Sequence, residues 1–147
     1  MRFLVLNGPN LDLLGTREPE TYGSTTLAEV GQGLDALAAQ LDLSLRHVQC
    51  NDEGGMLAAI RQASRDDFDG AIINAAGFTH TSVVLRDVLL ATQLPFIEVH
   101  ISNVHARESF RHRSLLADVA SGVITGLGVV GYQLALRGLA HQLRERR

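Results

Sequence analysis

Glu98-Val-His100 puts a carboxylate and an imidazole two residues apart. In an extended segment such residues share a face, so the carboxylate can orient the ring and favour its protonated form. The result is a proton donor able to work near neutral pH. A pair of this kind at a strand end is ordinarily structural, but here Ser102, Asn103, Arg107 and Arg111 follow at once, as a binding loop requires. A proton acceptor is offered elsewhere. The segment from Asn7 to Gly23 carries Arg17 and Tyr22 five apart, and a fixed cation beside a phenol favours the phenolate. Moving a phenol from ~10 to about 7 takes roughly 4 kcal/mol, within reach of a partly desolvated arginine. A third segment, Asn74 to Ser82, combines an amide, hydroxyls and His80 at the opening of a helix, where backbone N–H groups suit an anion. A proton donor, a proton acceptor and an anion-holding segment on separate loops are the parts that general acid–base chemistry needs.

Composition removes competing chemistries. All thirteen Lys or Arg positions are arginine. Without a lysine there can be no lysine imine and no G-x-x-x-x-G-K-[ST] phosphate loop. A net charge of −3 and a pI near 6.0 argue against a nucleic-acid binder. The arginines of 144–147 are read as favouring the negative end of a terminal helix. Six histidines include His100 and His105 five apart, a spacing that fits neither H-E-x-x-H nor a facial triad, so no metal site is expected. The single cysteine, Cys50, allows no intrachain disulfide, which suits a reducing, cytoplasmic setting.

Behind these residues, short apolar runs alternate with helix-period segments. Strands are expected at Phe3–Leu6, Leu45–Val48, Gly70–Asn74, Phe96–Val99 and Gly122–Thr125. The chain opens directly on the first of them, with no targeting segment expected. Thr26-x-x-Glu29 forms a capping box, followed at helical spacing by Leu27, Val30, Leu34, Leu37 and Leu41. A second helix is placed after Gly54-Gly55, with Leu57 and Ile60 inward. A third runs through Val84, Val88 and Ala91 and stops before Pro95, and the last carries Tyr132, Leu136, Leu139 and Leu143. Five strand–helix alternations over 147 residues predict one α/β domain, 1–147: a flavodoxin-like, doubly wound, five-stranded parallel sheet with helices on both faces. Ligands then sit beyond the carboxyl ends of the strands, where the polar segments named above lie.

Two features of the C-terminal third need separate reading. Val119 to Leu136 runs eighteen residues without a charge, touching the lower limit for a membrane span. It divides into a strand, a turn and a helix, so no membrane association is expected. Within it, Gly126, Gly128 and Gly131 spell G-x-G-x-x-G. A dinucleotide site needs a second strand and an acid about 20 residues further on, and the chain stops at Arg147. Close packing of helix on sheet is the reading taken for these glycines.

Together the segments resemble the type II 3-dehydroquinate dehydratases. The matching stretches are Leu6 to Pro19, Tyr22-Gly23, Gln49-x-Asn-x-Glu-Gly54, Ile73-Asn74, Thr79 to Ser82, Leu85-Arg-Asp87, Glu98 to Asn103, His105-Ala-Arg-Glu-x-Phe-Arg111 and Gly131-Tyr132. The resemblance implies a flavodoxin-like subunit in a homododecamer of four trimers, without a cofactor. The implied reaction converts 3-dehydroquinate to 3-dehydroshikimate by anti elimination, in aromatic amino-acid synthesis or quinate breakdown. It makes Tyr22 the base, with Arg17 stabilising its phenolate, and Asn10 the holder of a water at the enolate. His100, oriented by Glu98, protonates the departing hydroxyl. Asn74 and the backbone amides of Ile101 and Ser102 hold the substrate carboxylate. His80 and Arg111 grip the ring hydroxyls, and Asp87 reaches a neighbouring subunit's site. The type I dehydroquinases, unrelated, use a lysine imine that this chain cannot form.

Two positions depart from the family pattern. Ala75-Ala-Gly-Phe78 stands where members often have Pro-Gly-Ala-Tyr, and Cys50 where serine is usual. The competing interpretation is a non-enzymatic flavodoxin-like module, a receiver or flavin carrier. A receiver needs clustered acids after the first strand and a late lysine, but Asn7-Gly8 and no lysine are found. A flavin carrier needs stacking aromatics, and there are no tryptophans and two tyrosines.

Overall fold

The computed structural model describes residues 1–146; Arg147, the last of the terminal arginines, lies outside them. Five parallel strands, β1 (Arg2–Asn7), β2 (Ser44–Gln49), β3 (Gly70–Asn74), β4 (Phe96–His100) and β5 (Gly122–Thr125), pair in the order β2-β1-β3-β4-β5. That is the flavodoxin-like order, in which the chain reverses direction across the sheet between β1 and β3. All five expected strands form, each within a residue at either end.

The three inner strands are apolar at nearly every position because both of their faces are covered. Phe3 and Val5 of β1 point into one layer, with Ile72, Ile97 and Val99; there they meet α2 (Leu27–Gln40) and α5 (Val130–Glu145) through Leu34, Leu37, Leu136 and Leu139. Leu4 and Leu6 point into the other, against α3 (Glu53–Arg65) and α4 (Val83–Thr92) through Met56, Ile60, Leu85 and Leu89. The fifth helix, α1 (Pro19–Tyr22), is a single turn in the loop after β1.

The capping box forms as read, Thr26 accepting from Glu29 N and Glu29 from Thr26 N. Two helices differ from expectation. The third expected helix, α4, buries Leu85, Val88 and Leu89, leaving Val84 and Ala91 outside. Its sequence is apolar on several stripes at once, so periodicity could not choose among them; Ser82, capping Leu85 N, starts the helix in the register observed. The helix placed after Gly54-Gly55 instead begins at Glu53. Asp52 caps it through Gly55 N at 2.6 Å, and Met56, Ile60 and Ala63 are buried while Leu57 is only half-buried.

The charge-free stretch divides as expected into β5, a turn and α5. Gly126 has φ +84, and a Cβ there would meet Asn103 Cβ at 2.9 Å, so this turn needs glycine for both conformation and space. Among the described residues no helix is long and apolar enough to cross a membrane. Arg144, in the last turn of α5, donates to the carbonyl of Leu41, where a cation opposes the negative helix end.

Candidate active site

The carboxyl ends of β1, β3 and β4 and the loops after them enclose one cleft. Its walls include Asn10, Arg17, Tyr22, Asn74, His80, His100, Ser102, Arg107 and Arg111. Gly8 sets how closely two of these loops approach, because a Cβ there would stand 2.7 Å from Ala75 O. Its N–H donates to Asn74 O at 2.8 Å, which ties the first loop to the end of β3.

On the β4 side the chemistry is buried. Glu98 is fully buried and His100 is 6% exposed. The ring Nε2 lies 2.6 Å from Glu98 Oε1. Thr79 Oγ1 donates to the same oxygen at 2.8 Å, and Ser114 Oγ reaches both carboxylate oxygens at 2.8 and 3.0 Å. Burial pushes Glu98 upward, but the bond and charge of His100, with Ser114 and Thr79, outweigh it and hold the carboxyl below its ordinary range. Because an ionised carboxylate only accepts, Nε2 of His100 must carry hydrogen, leaving Nδ1 for chemistry.

His80 stacks against His100 with ring centroids 6.3 Å apart. Its Nδ1 donates to the carbonyl of Arg113 at 2.8 Å. Burial pushes this imidazole down, and the neighbouring His100 and Arg111 push the same way, against the Arg113 bond and Glu98. The ring is thus favoured as the neutral tautomer whose Nε2 accepts, a fit for a hydroxyl donor.

The base side is built from loops. Pro19 occupies the first position of α1, where its missing N–H costs nothing, and Gly23 closes the turn through a bond to Pro19 O. Tyr22 therefore sits at the end of a stiffened turn, half-buried. Two guanidinium groups flank its ring, Arg17 at 5.6 Å and Arg107 at 5.7 Å from the centroid. Of the two, it is Arg107 that bonds the phenol oxygen: Nη1 donates to Tyr22 Oη at 2.9 Å and to Ser102 Oγ at 3.3 Å. Arg17 instead has Glu18 at 3.7 Å.

The family model for class II dehydroquinase matches residues 1–140. The chain belongs to the class II dehydroquinase family. A 3-dehydroquinate dehydratase from Yersinia pestis is 57% identical over 140 residues, covering 95% of this chain and 93% of its own. The crystal structure of a type II dehydroquinase from Butyrivibrio crossotus superposes with a TM-score of 0.92 at 38% identity, covering 95% and 97% of the two chains. One from Propionibacterium acnes gives 0.90 at 43% identity, covering 95% and 96%.

Against this class II dehydroquinase fold, most of the expected site residues converge. Tyr22, Arg17, Asn10, His100, Asn74, His80, Ser102 and Arg111 all line the cleft, with Glu98 directly behind His100. Ile101 is buried beside the cleft in the core between sheet, α2 and α5. Asp87 is not brought in; it lies exposed on α4. Arg107 stood in the expected binding loop without a role, and its bond to Tyr22 spans 85 positions, a separation no local pattern reports. Thr79, Ser114 and Tyr132 were likewise given no part in the site. Among the described residues no group of three or more His, Cys, Asp or Glu could hold a metal ion.

The departure at Ala75-Ala-Gly-Phe78 has a local consequence. Ala76 takes φ +51, a conformation that penalises a Cβ, and its N–H donates to Asn74 Oδ1 at 3.1 Å. Cys50 is half-buried against α3, and burial, with Asp52 nearby, pushes its thiol up.

Proposed function

We propose that the chain is a 3-dehydroquinate dehydratase, a hydro-lyase of the type II kind, acting as one catalytic domain in the shikimate pathway without a cofactor. The observation that carries this reading is a proton acceptor and a proton donor on one cleft: Tyr22 bonded by Arg107, and His100 backed by buried Glu98. Tyr22, as phenolate, takes a proton from the carbon beside the ketone. The electron pair moves onto the ketone oxygen as an enolate, stabilised by a water held by Asn10. As the enolate collapses, the C–O bond on the neighbouring position breaks, and His100 Nδ1–H delivers the proton with which the hydroxyl leaves as water. Loss of the two groups from opposite faces makes the elimination anti. Arg17 and Arg107 flank the Tyr22 ring and Arg107 donates to its oxygen, and arginine stays charged throughout. Asn74, with the Ile101 and Ser102 amides, holds the substrate carboxylate, while His80 and Arg111 hold ring hydroxyls.

The same reading makes the protein a cytoplasmic homododecamer of four trimers. Asp87 supports it: exposed on α4, it is flanked by Val83 and Leu90, 57% and 51% exposed, a face suited to a second copy whose cleft Asp87 would reach. Light scattering giving a monomer at micromolar concentration would remove that part. For the reaction, adding 3-dehydroquinate to purified protein should produce an enone absorbing in the near ultraviolet without any added cofactor. A flat trace at high enzyme concentration overturns the assignment.

A further inference from the structure

Tyr132 belongs to α5, yet it reaches through the core to the ends of the central strands. It is fully buried. Asn7 and Asn74 are paired in register at the ends of β1 and β3, where the sheet reverses its winding, and the phenol oxygen lies between them. Asn74 Nδ2 is 2.8 Å from Tyr132 Oη, which is 2.5 Å from Asn7 Oδ1.

The direction of this chain is decided by one backbone group. Ala76 N–H can only donate, and it meets Asn74 at 3.1 Å, so the atom facing it is the amide oxygen. The amide nitrogen therefore faces Tyr132 and donates to its oxygen. The phenol's own proton then has one use, donation to Asn7 Oδ1. Burial pushes the phenol well above its ordinary range, against the smaller opposite effect of the Asn74 bond, so this O–H stays protonated. With its oxygen turned onto its own loop, Asn74 has a second N–H to offer the cleft it lines.

We infer that Tyr132 is a positioning residue for substrate affinity: its phenol, anchored on Asn7, holds one N–H of the Asn74 amide so that the second N–H is presented to the cleft, and this wall donates to an anionic oxygen. Tyr132 touches no substrate; it acts through Asn74. The inference rests on the proposed reading of Asn74 as a carboxylate holder.

Tyr132→Phe removes the lock and little volume. Its expected signature is a KM for 3-dehydroquinate raised about tenfold with kcat within about threefold, because the lost contact serves ground state and transition state alike. Competition by quinate and by quinate methyl ester supplies a readout that mere loosening of the core would not produce. The variant should weaken inhibition by the acid about tenfold and leave the ester nearly unchanged. Should Tyr132→Phe not fold, Asn7→Ala tests the same lock by removing the acceptor of the phenol proton, with a smaller shift of the same sign. An unchanged KM, a kcat loss without a KM rise, or equal weakening of acid and ester overturns the inference. Failure of the unaltered enzyme to turn over 3-dehydroquinate would instead remove the reading beneath it.

Discussion

His100 ends a central strand, 6% exposed, on a carboxylate that takes bonds from Thr79, Ser114 and the ring itself. Tyr22 ends a single helical turn in the first loop, half-buried, and its phenol oxygen is bonded by a guanidinium from the loop after β4. The proposed donor is thus preset by burial, because a buried carboxylate must collect donors and so fixes ring and tautomer together. The proposed acceptor packs only at the edge of the core, and its oxygen is held by one charge-assisted bond from another loop. Damage to the first support should therefore appear in pH dependence and stability, and damage to the second in turnover with the fold intact.

The largest effects come from removing the groups themselves. His100→Ala and Tyr22→Phe should each lower kcat by about 10³-fold or more, with circular dichroism and melting little changed for Tyr22→Phe. Near-full activity in either variant removes the role given to that residue. Next is the cation on the base side. Arg107→Lys should recover only part of the roughly 100-fold kcat loss expected of Arg107→Ala, since a strongly hydrated ammonium on a flexible stem replaces the planar guanidinium that flanks the Tyr22 ring and bonds its oxygen. Equal activity of the alanine and lysine variants would show that the bond geometry is unimportant.

The donor side is sharpened by Ser114→Ala, which leaves His100 in place but strips one donor from Glu98. We expect kcat to fall by about tenfold, alongside a changed acid response. Because the folded state holds Glu98 below its unfolded range, the carboxylate contributes stability that is present above about pH 4.3 and lost as pH falls through the folded value. Denaturant melts between pH 7 and 3 should show a shallower acid loss for Ser114→Ala than for the unaltered protein. Parallel curves would mean the hydroxyl does not support the charge. The smallest effect lies on the loop that joins both sides. Ala76→Gly should relieve the left-handed backbone and raise stability by about 1 kcal/mol, a melting shift of roughly 3 °C for a domain of this size. A fall in Tm would show that Ala76 is not strained.

Much of this was legible in the residues. The short apolar run of β1, and the capping box at Thr26, are local patterns that folding has no reason to override. Glu98 and His100 are two apart on a strand, so their pairing follows from strand geometry alone. The face of α4 was not legible, because Val83 through Ala91 is apolar on more than one stripe and burial chose Leu85, Val88 and Leu89. Nor was the partner of Tyr22: Arg17 is near in sequence, but the bond comes from Arg107.

By itself the sequence determined the parallel α/β sheet, the ban on lysine chemistry and the loops that hold the cleft, since each depends on residue type or short-range period. Tertiary structure alone decided which cation bonds the phenol, how Thr79 and Ser114 converge on Glu98, and that a tyrosine from the last helix sits between Asn7 and Asn74. These are contacts between residues 16 to 125 positions apart. They exist because burying polar groups forces each to find a partner wherever the packed sheet delivers one.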